Sequence, residues 1–298
     1  MTLKLSQLEA FYWAASLPSF SVAASRLHLS QSSLSKRIAE LETQLGKPLF
    51  DRSGHRSTLT PAGTQLLPLA HQILRSADQI FETMSETPEI RGACKFGVGE
   101  LAALSWLPRF VMQARESYPD LVLEPHVDLG RALEIQVEMG ELDFAVIAGT
   151  SMRTALSSEV VGEVRFHWVG APKLIGKKRS VTRALLAELP VITMPSDAGS
   201  AREFDNWLVA NNFTVNRRLR CNNLAAITGL VAAGIGISFI PEGWLEPLIK
   251  RGDVVRMTCT PPLPTLFYSF QCRKDDIRPL IRRMRDLVRT MADFSVQQ

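Results

Sequence analysis

The chain has 298 residues, of which 46% are hydrophobic and 21% charged. This composition is typical of soluble globular proteins and excludes a collagen-like, mucin-like or wholly disordered chain, and the length predicts two domains or three small ones. The net charge is only +4, yet basic residues concentrate at 21–60 and 271–289, two stretches suited to a polyanionic partner. For the second stretch, a solvated helix face is the more ordinary explanation.

Cysteine usage and the N-terminus favour a protein of the reducing cytoplasm. The four cysteines are widely spaced and form no C-x-x-C pair, so we expect neither a disulfide framework nor a zinc site. Residues 1–7 contain no apolar run, so no signal peptide is expected. Residues 221–241 are uncharged but interrupted by asparagine and glycine, which favours a buried helix–turn–strand over a membrane span.

The first sixty residues predict short helices. Apolar residues recur at helical spacing over 5–15, and Pro18 ends that helix. Ser21 is predicted to cap a second helix and Ser30 a third. Gly46 is predicted to end the third helix, whose apolar residues share one side: Leu34, Ile38, Leu41 and Leu45.

A longer helix is predicted from Pro61 to about Met84. Proline is tolerated at the first helical position, but Pro68 inside the helix should kink it. Steps of four and three residues trace a heptad seam along this helix, formed by Leu66, Ala70, Ile73, Ala77, Ile80 and Met84. Such a seam favours pairing with a second helix over a lone amphipathic helix whose apolar side faces water.

The remaining chain alternates short apolar runs with helical segments after a predicted hinge at 87–92, a pattern typical of an open α/β sheet. The predicted strands are 95–99, 121–127, 144–148, 160–164, 166–170, 191–193, 215–220, 235–240 and 266–271. The predicted helices are about 101–117, 130–139, 201–212, 223–233 and 277–293. Ser200 and Glu203 are predicted to form a capping box.

The second and third helices carry the strongest functional signal. At or beside the face opposite its apolar stripe, the third helix places the polar residues Gln31, Ser32, Ser35, Lys36 and Arg37. Glutamine, serine and lysine side chains bind base edges and phosphates, and the first turn of a recognition helix enters the DNA major groove. A polar surface on a small helical domain is the alternative.

Residues 5–63 resemble the winged helix-turn-helix of LysR-type transcriptional regulators. The matching pieces are Leu8-Glu-Ala-Phe11, Ser19-Phe20-Ser21, Ala23-Ala24, Ser30-Gln31, Leu34-Ser35, Leu45-Gly46, Pro48-Leu49-Phe50 and Leu59-Thr60-Pro61-Ala-Gly63. The resemblance continues at Gly140-Glu-Leu-Asp143 and from Ala233 to Pro241, so it covers nearly the whole chain. One departure is Ser32, where the family often has proline.

The resemblance implies an α/β multidomain protein with three parts. These are a winged helix-turn-helix domain (1–60), a dimerising linker helix (61–87) and a two-lobed, periplasmic-binding-protein-like effector domain. The first lobe would comprise 91–162 and 269–298, and the second 163–268. The chain would then be a transcriptional regulator and not an enzyme, acting as a homodimer or homotetramer on double-stranded DNA.

The family also implies roles for individual residues. The polar residues of the third helix would face the major groove, and a wing carrying Arg52, His55 and Arg56 would reach phosphate or the adjacent minor groove. The heptad seam would hold a two-fold dimer, so we expect the operator to be an interrupted dyad.

A small-molecule effector is expected between the lobes, beside predicted helix starts. Free N–H groups and the positive end of a helix dipole favour a carboxylate. Glu100 departs from the small serine or threonine often found there in the family, and would accept a hydrogen bond from an amine, so an amino-acid-like effector is predicted. Alternatively, Glu100 only offsets the helix dipole. The predicted effector residues are Gly99, Glu100, Leu101, Ser196, Ser200, Arg202 and Asn223.

One competing motif is a G-x-G-x-x-A from Gly97 to Ala102, the weak form of a dinucleotide fingerprint. It leaves open a nucleotide-dependent enzyme, or a plain solute-binding protein, that uses only the α/β half. The histidines lack metal-ligand spacing and Ser238 lacks the glycine of a nucleophile elbow, so no catalytic residue, metal or cofactor is predicted.

Overall fold

The computed structural model describes residues 3–53, 57–84, 90–216 and 218–295. An N-terminal helical domain comes first and packs around a core that contains Leu8, Phe11, Leu34, Ile38 and Leu41. Its elements are α1 (Leu5–Ser16), α2 (Phe20–Arg26), α3 (Gln31–Leu45), β1 (Phe50–Asp51) and β2 (Thr58–Leu59), followed by the long α4 (Pro61–Met84). The predicted bounds of the third and fourth helices are confirmed, and α4 continues through Pro68.

The caps of α3 agree with the sequence, whereas the cap of α2 does not. Ser30 Oγ accepts a hydrogen bond from Ser33 N at 3.1 Å, and Gly46 ends the helix at φ +67°. The predicted cap at Ser21 is wrong, because α2 begins earlier in the chain and Ser19 Oγ accepts from Val22 N at 3.2 Å. Serine is a favoured N-cap residue at either position, but α2 begins at Phe20, so the oxygen of Ser19 is the one that reaches a free N–H group of the first turn.

We expect Ser19→Ala to lower the free energy of unfolding by about 0.5–2 kcal/mol, because it removes the oxygen that caps α2. Ser21→Ala is the matched control: Ser21 is exposed inside α2, where alanine is the better helix former, and we expect no loss. Denaturant unfolding measures both. Equal destabilisation by the two variants would contradict the assignment of the cap.

The C-terminal half forms two sheets. The first lobe is built on a five-stranded sheet with the order β4-β3-β5-β13-β6, packed with helices α5, α6, α7 and α13. Its strands are β3 (Gly92–Val98), β4 (Leu121–Val127), β5 (Phe144–Ala148), β6 (Leu156–Val164) and β13 (Leu266–Arg273), and its helices are α5 (Glu100–Ser105), α6 (Leu107–Ser117), α7 (Gly130–Glu138) and α13 (Pro279–Met291).

The second lobe is built on a four-stranded sheet with the order β11-β7-β12-β8, beside the parallel pair β10-β9. Its strands are β7 (Phe166–Gly170), β8 (Ser180–Val181), β9 (Val191–Thr193), β10 (Arg218–Arg220), β11 (Ser238–Pro241) and β12 (Val255–Cys259). Its helices are α8 (Pro172–Ile175), α9 (Arg183–Glu188), α10 (Gly199–Ala210), α11 (Leu224–Ala232) and α12 (Glu242–Lys250). Five of these elements, α8, α9, α12, β8 and β12, were not predicted from the sequence patterns.

Two predictions about helices are corrected. The single helix predicted over 101–117 is two helices, which meet at the fully buried Trp106. Pro108 has no N–H with which to continue the first helix, and it is accommodated in the first turn of the second. The predicted Ser200–Glu203 capping box is wrong as well, because α10 already begins at Gly199 and its N-cap residue is Ala198.

The two lobes are joined by neighbouring strands. β6 and β13 pair over their full lengths within the five-stranded sheet, and their register shifts between Tyr268, opposite Gly162, and Ser269, opposite Val160. The boundaries between the lobes, predicted to follow residues 162 and 268, fall at this irregularity and stay a prediction.

The first glycine of the G-x-G-x-x-A motif has a packing role. Gly97 lies inside β3, and a Cβ there would come within 2.7 Å of Leu133 Cδ2 on α7. The missing side chain therefore lets helix and sheet approach closely, which explains the glycine without a nucleotide.

Candidate nucleic-acid interface and effector cleft

The polar face of α3 is open to solvent, as the sequence predicted. Gln31, Ser32 and Lys36 are exposed. On the other side of the same helix, Leu34 and Ile38 are completely buried. Ser35 and Arg37, the other two polar residues predicted at or beside this face, are only half-exposed. The face therefore presents an amide, a hydroxyl and an ammonium group from a rigid, capped helix.

The wing is anchored by a residue that the sequence analysis missed. Glu42 on α3 accepts hydrogen bonds through Oε1 from Leu49 N at 2.8 Å and Phe50 N at 3.2 Å. Its Oε2 lies 3.4 Å from Arg52 Nη2. A surface ion pair of this kind holds a side chain weakly, and the Arg52 side chain is 49% exposed. His55 and Arg56 lie outside the described residues.

The heptad seam of α4 divides between two environments. Ala70 is completely buried in the core of its own domain, and Leu66 packs against the same core. By contrast, Ile73 is 40% and Ile80 61% exposed. With Leu5, Leu69 and Ala77 they line an apolar surface groove. The placement of Ala70 corrects its predicted role at the seam, and the side chain of Met84 lies outside the described residues.

A cavity of about 260 Å³ lies between the two lobes. Most of the predicted effector residues line it: Gly99, Glu100, Leu101, Ser200 and Asn223. The cavity is bordered by the starts of α5, α7, α10 and α11 and by the ends of strands from both lobes. Converging helix starts and strand ends are typical of ligand sites in α/β proteins.

Glu100 links the two lobes across this cleft. Its Oε1 accepts a hydrogen bond from Asn223 Nδ2 at 2.8 Å, and its Oε2 accepts one from Leu224 N at 2.6 Å. Glu100 stands at the start of α5 in the first lobe, but its carboxylate therefore satisfies the start of α11 in the second. A negative charge at that position is stabilised by the dipole of α11.

Two predicted effector residues lie elsewhere. Ser196 and Arg202 border a neighbouring cavity, together with Arg131, Met152 and Asp197. Arg202 is exposed, and the Glu100 carboxylate is held by Asn223 and Leu224.

The cleft also contains polar residues that the sequence analysis did not select. Asp128 follows β4, and Thr193 is the last residue of β9. Thr193 is 2% exposed, and its hydroxyl has no hydrogen-bond partner within the described part of the chain. Both residues stand at the carboxyl end of a strand, and that position is the signal by which sequence reasoning finds ligand-binding residues in an open sheet.

The charged groups of the cleft are carboxylates. Among the described residues that line it, Glu100 and Asp128 are acidic and none is lysine, arginine or histidine. Phe166, Phe239 and Tyr268 contribute aromatic surface. A ligand here meets an apolar chamber with two negative side chains and several helix starts.

Across 3–53, 57–84, 90–216 and 218–295, no group of three or more histidine, cysteine, aspartate or glutamate residues could hold a metal ion. In the same ranges, no helix is long and apolar enough to cross a membrane.

A helix-turn-helix domain, joined by a long helix to two α/β lobes around a cleft, defines a class of ligand-responsive DNA-binding regulators. Residues 5–64 match the family model described as "Bacterial regulatory helix-turn-helix protein, lysR family", and residues 88–293 match the LysR substrate binding domain. The chain belongs to the LysR family of transcriptional regulators, which bind DNA and carry an effector-binding domain. As a transcription factor of this family it is not an enzyme, which removes the nucleotide-dependent alternative.

Known proteins of this family resemble the chain over most of its length. It is 30% identical over 264 residues to a probable RuBisCO transcriptional regulator of Thalassiosira pseudonana, covering 85% of this chain and 86% of that protein. It is 28% identical over 293 residues to the HTH-type transcriptional regulator CzcR of Bacillus thuringiensis, covering 98% and 94%.

Solved structures share the fold at lower identity. The crystal structure of ArgP from Mycobacterium tuberculosis matches with a TM-score of 0.62 at 24% identity, covering 99% of each chain. A full-length OxyR variant from Pseudomonas aeruginosa matches with a TM-score of 0.62 at 21% identity, covering 98% of this chain and 96% of that one.

Proposed function

We propose that the protein binds an interrupted-dyad operator as a homodimer, in which the two copies of α3 enter successive major grooves. The exposed polar face of α3, above its completely buried stripe, carries this proposal. Half-sites about one helical turn apart, or a multiple of that spacing, would match two recognition helices related by a two-fold axis. A dimer of dimers formed through the effector domains, and action in the cytoplasm, belong to the same proposal.

A gel shift on the intergenic DNA upstream of the protein's own gene tests the proposal. We expect a complex that survives competition by random duplex DNA, and a footprint with two protected half-sites related by a dyad. Specific sites are typically bound about 10³–10⁷ times more tightly than random DNA at physiological salt. Equal competition by specific and random DNA would refute sequence-specific binding to that DNA.

We further propose that the effector carries both an amine and an acid, as an amino-acid-like molecule does. Glu100 and Asp128 supply negative charge for an amine, and the cleft offers no basic side chain among its described lining residues. An acid group is favoured at the start of α10, where the N-cap residue Ala198 has no polar side-chain atom to cap the N–H groups. The hydroxyls of Ser200 and Thr193 add hydrogen-bonding capacity.

Thermal shift with panels of amino acids, amines and plain carboxylates measures this preference. A ligand at about 100 times its Kd stabilises the folded state by about 2.7 kcal/mol, which corresponds to a Tm shift of roughly 5–10 °C for a domain of this size. We expect amino acids to raise the Tm of the wild type. Glu100→Gln should show a smaller Tm shift with amino acids, because it lacks the negative charge that attracts the amine.

Glu242→Gln is the matched control, because Glu242 is likewise the first residue of a helix but lies on α12, outside the cleft lining. Stabilisation of the wild type by plain carboxylates, with Glu100→Gln binding them equally, would remove the amine from the proposal and leave the cleft. If no small molecule shifts the Tm and Ser200→Ala leaves regulation intact, the cleft assignment is wrong.

A further inference from the structure

The helix-turn-helix domain contacts the end of the first lobe that lies opposite the effector cleft. Arg26 is the last residue of α2, and its side chain is 4% exposed. Its Nη1 lies 2.5 Å from Asp143 Oδ1 and 3.3 Å from Asp276 Oδ2, and its Nη2 donates to Gly140 O at 2.7 Å. These acceptors are 114 to 250 residues away in the chain, and all belong to the first lobe.

A second arginine completes a charge-balanced cluster. Arg278 Nη2 lies 2.6 Å from Asp143 Oδ1 and 2.5 Å from Asp276 Oδ2. The Asp276 side chain is 1% exposed. Burial alone would raise the pKa of Asp276, but the Arg278 guanidinium, aided by Arg26, holds it below the ordinary value. Two arginines and two aspartates thus neutralise one another in a water-poor interface, as buried charges require.

The helical domain contributes an aromatic wall to this cluster. The guanidinium carbons of Arg26 and Arg278 each lie 5.4 Å from the Trp13 ring centroid. Trp13 is on α1 and is 2% exposed. Stacking on the indole face stabilises arginine further where water is excluded.

Backbone contacts extend the same interface. Arg273 Nη2 donates to Ser16 O at 2.6 Å, and the Tyr12 hydroxyl donates to Asp275 O. Gly140 has φ +75°, and a Cβ there would come within 2.4 Å of Leu17 Cδ2. The two domains therefore fit at van der Waals contact.

We propose that Arg26 locks the helix-turn-helix domain onto the first lobe, so that the DNA-reading helix and the cleft-lining strands move as one body. α2 shares its core with α3. At the other side of the contact, β3, β5 and β13 run from the interface to the cleft. Asp143 precedes β5, whose last residue Ala148 lines the cleft, and β13 begins beside the cleft and ends at Arg273. The proposal holds whatever the effector is.

The lock should be cooperative. Withdrawing Arg26 alone, with the rest of the interface still closed, would leave Arg278 to balance both Asp143 and Asp276, and an uncompensated buried charge is strongly unfavourable. We therefore expect the interface to stay closed or to open as a whole, which agrees with two domains that move as one body.

Amide hydrogen exchange of the full-length protein tests the lock. For each variant, exchange is measured in the domain that does not carry the mutation. We expect Arg26→Met, which keeps the aliphatic stem, to accelerate amide exchange about tenfold in segments 139–143 and 274–278 of the first lobe, since interface opening sets local protection. Arg285→Met is the matched control. Arg285 lies on α13 and pairs with Glu159 on β6, so this substitution breaks an ion pair within the first lobe. It should leave amide exchange in α1 and α2 unchanged.

Gly140→Asn breaks the interface from the other side. Asparagine tolerates positive φ, but its side chain would displace Leu17, so exchange should accelerate across residues 12–28. Gly252→Asn is the control, because Gly252 has nearly the same φ, +76°, and open space around it. If Arg26→Met still binds the upstream DNA, its helix-turn-helix domain is folded.

The outcomes separate cleanly. Faster exchange across the interface in both test variants, and in neither control, supports the lock. Exchange changes confined to the mutated domain, or wild-type exchange in both test variants, would overturn it. Loss of DNA binding with unchanged exchange across the interface would overturn it as well, since the damage would then be local to the helical domain.

Discussion

Replacing both Ile73 and Ile80 with glutamate is expected to convert the protein into separate chains. The two isoleucines are 40% and 61% exposed, beside Leu69 at 55%, so α4 presents an apolar stripe that its own domain does not cover. A second copy of α4 would bury this stripe about a two-fold axis. The double substitution would place four carboxylates in that seam, and leaving buried charges unpaired costs about 3–5 kcal/mol.

Sedimentation velocity measures this effect. A loss of 3–5 kcal/mol raises the dimer Kd by roughly 100-fold or more, which should shift the protein from dimer to monomer at micromolar concentration. The double variant Thr64→Glu with Arg75→Ala is the matched control, because it also lowers the net charge by two and both positions lie on α4 outside the groove lining. An unchanged oligomer in the isoleucine variant would place the dimer contact elsewhere.

Alanine at Gln31 or Lys36 is expected to weaken binding to the specific operator and to narrow its advantage over random DNA. A good contact from a side chain to a base edge contributes about 1–3 kcal/mol of discrimination, or roughly 5- to 150-fold in Kd. Both residues are exposed in the N-terminal half of α3, the part of a recognition helix that meets the bases. Fluorescence anisotropy on specific and random duplexes gives both affinities.

Two further variants separate base reading from phosphate contact. Gln44→Ala removes the same type of side chain near the other end of α3 and should leave specificity unchanged. Arg52→Ala should weaken binding to all sequences alike. It should also reduce the slope of log K against log salt concentration by about one, the value for one lost phosphate contact. If Gln31→Ala loses the same amount of affinity for specific and for random DNA, Gln31 takes no part in sequence readout.

Local patterns predicted most of the elements that hold these sites. The capping oxygen of Ser30 and the left-handed Gly46 bound α3 as expected, since both signals act within a few residues of chain. The bounds of α4, β4, β5 and β7 follow from apolar periodicity in the same way. The order of motifs was enough to place the chain in its family before any contact was known.

The same periodicity did not reveal which surface covers an apolar residue. Leu66, Ala70, Ile73 and Ile80 share a heptad seam in sequence, but the core of the helical domain takes up Ala70 completely and leaves Ile80 exposed. The angle at which α4 leaves its domain decides this division, and that angle depends on packing against α1. A helical repeat specifies which side of a helix is apolar, whereas tertiary packing determines which surface covers that side.

Long-range partners were decided by tertiary structure alone. Glu100 bonds across 123 and 124 residues to Asn223 and Leu224, and Arg26 across 117 residues to Asp143. In sequence each is a charged residue at a helix end, where an exposed position offsetting the dipole is the ordinary expectation. Only the folded chain brings the opposing groups within hydrogen-bond distance. It buries the Arg26–Asp143 pair, whereas the bond between Glu100 and Asn223 stays exposed, and no local pattern distinguishes the two, because burial depends on segments distant in the chain.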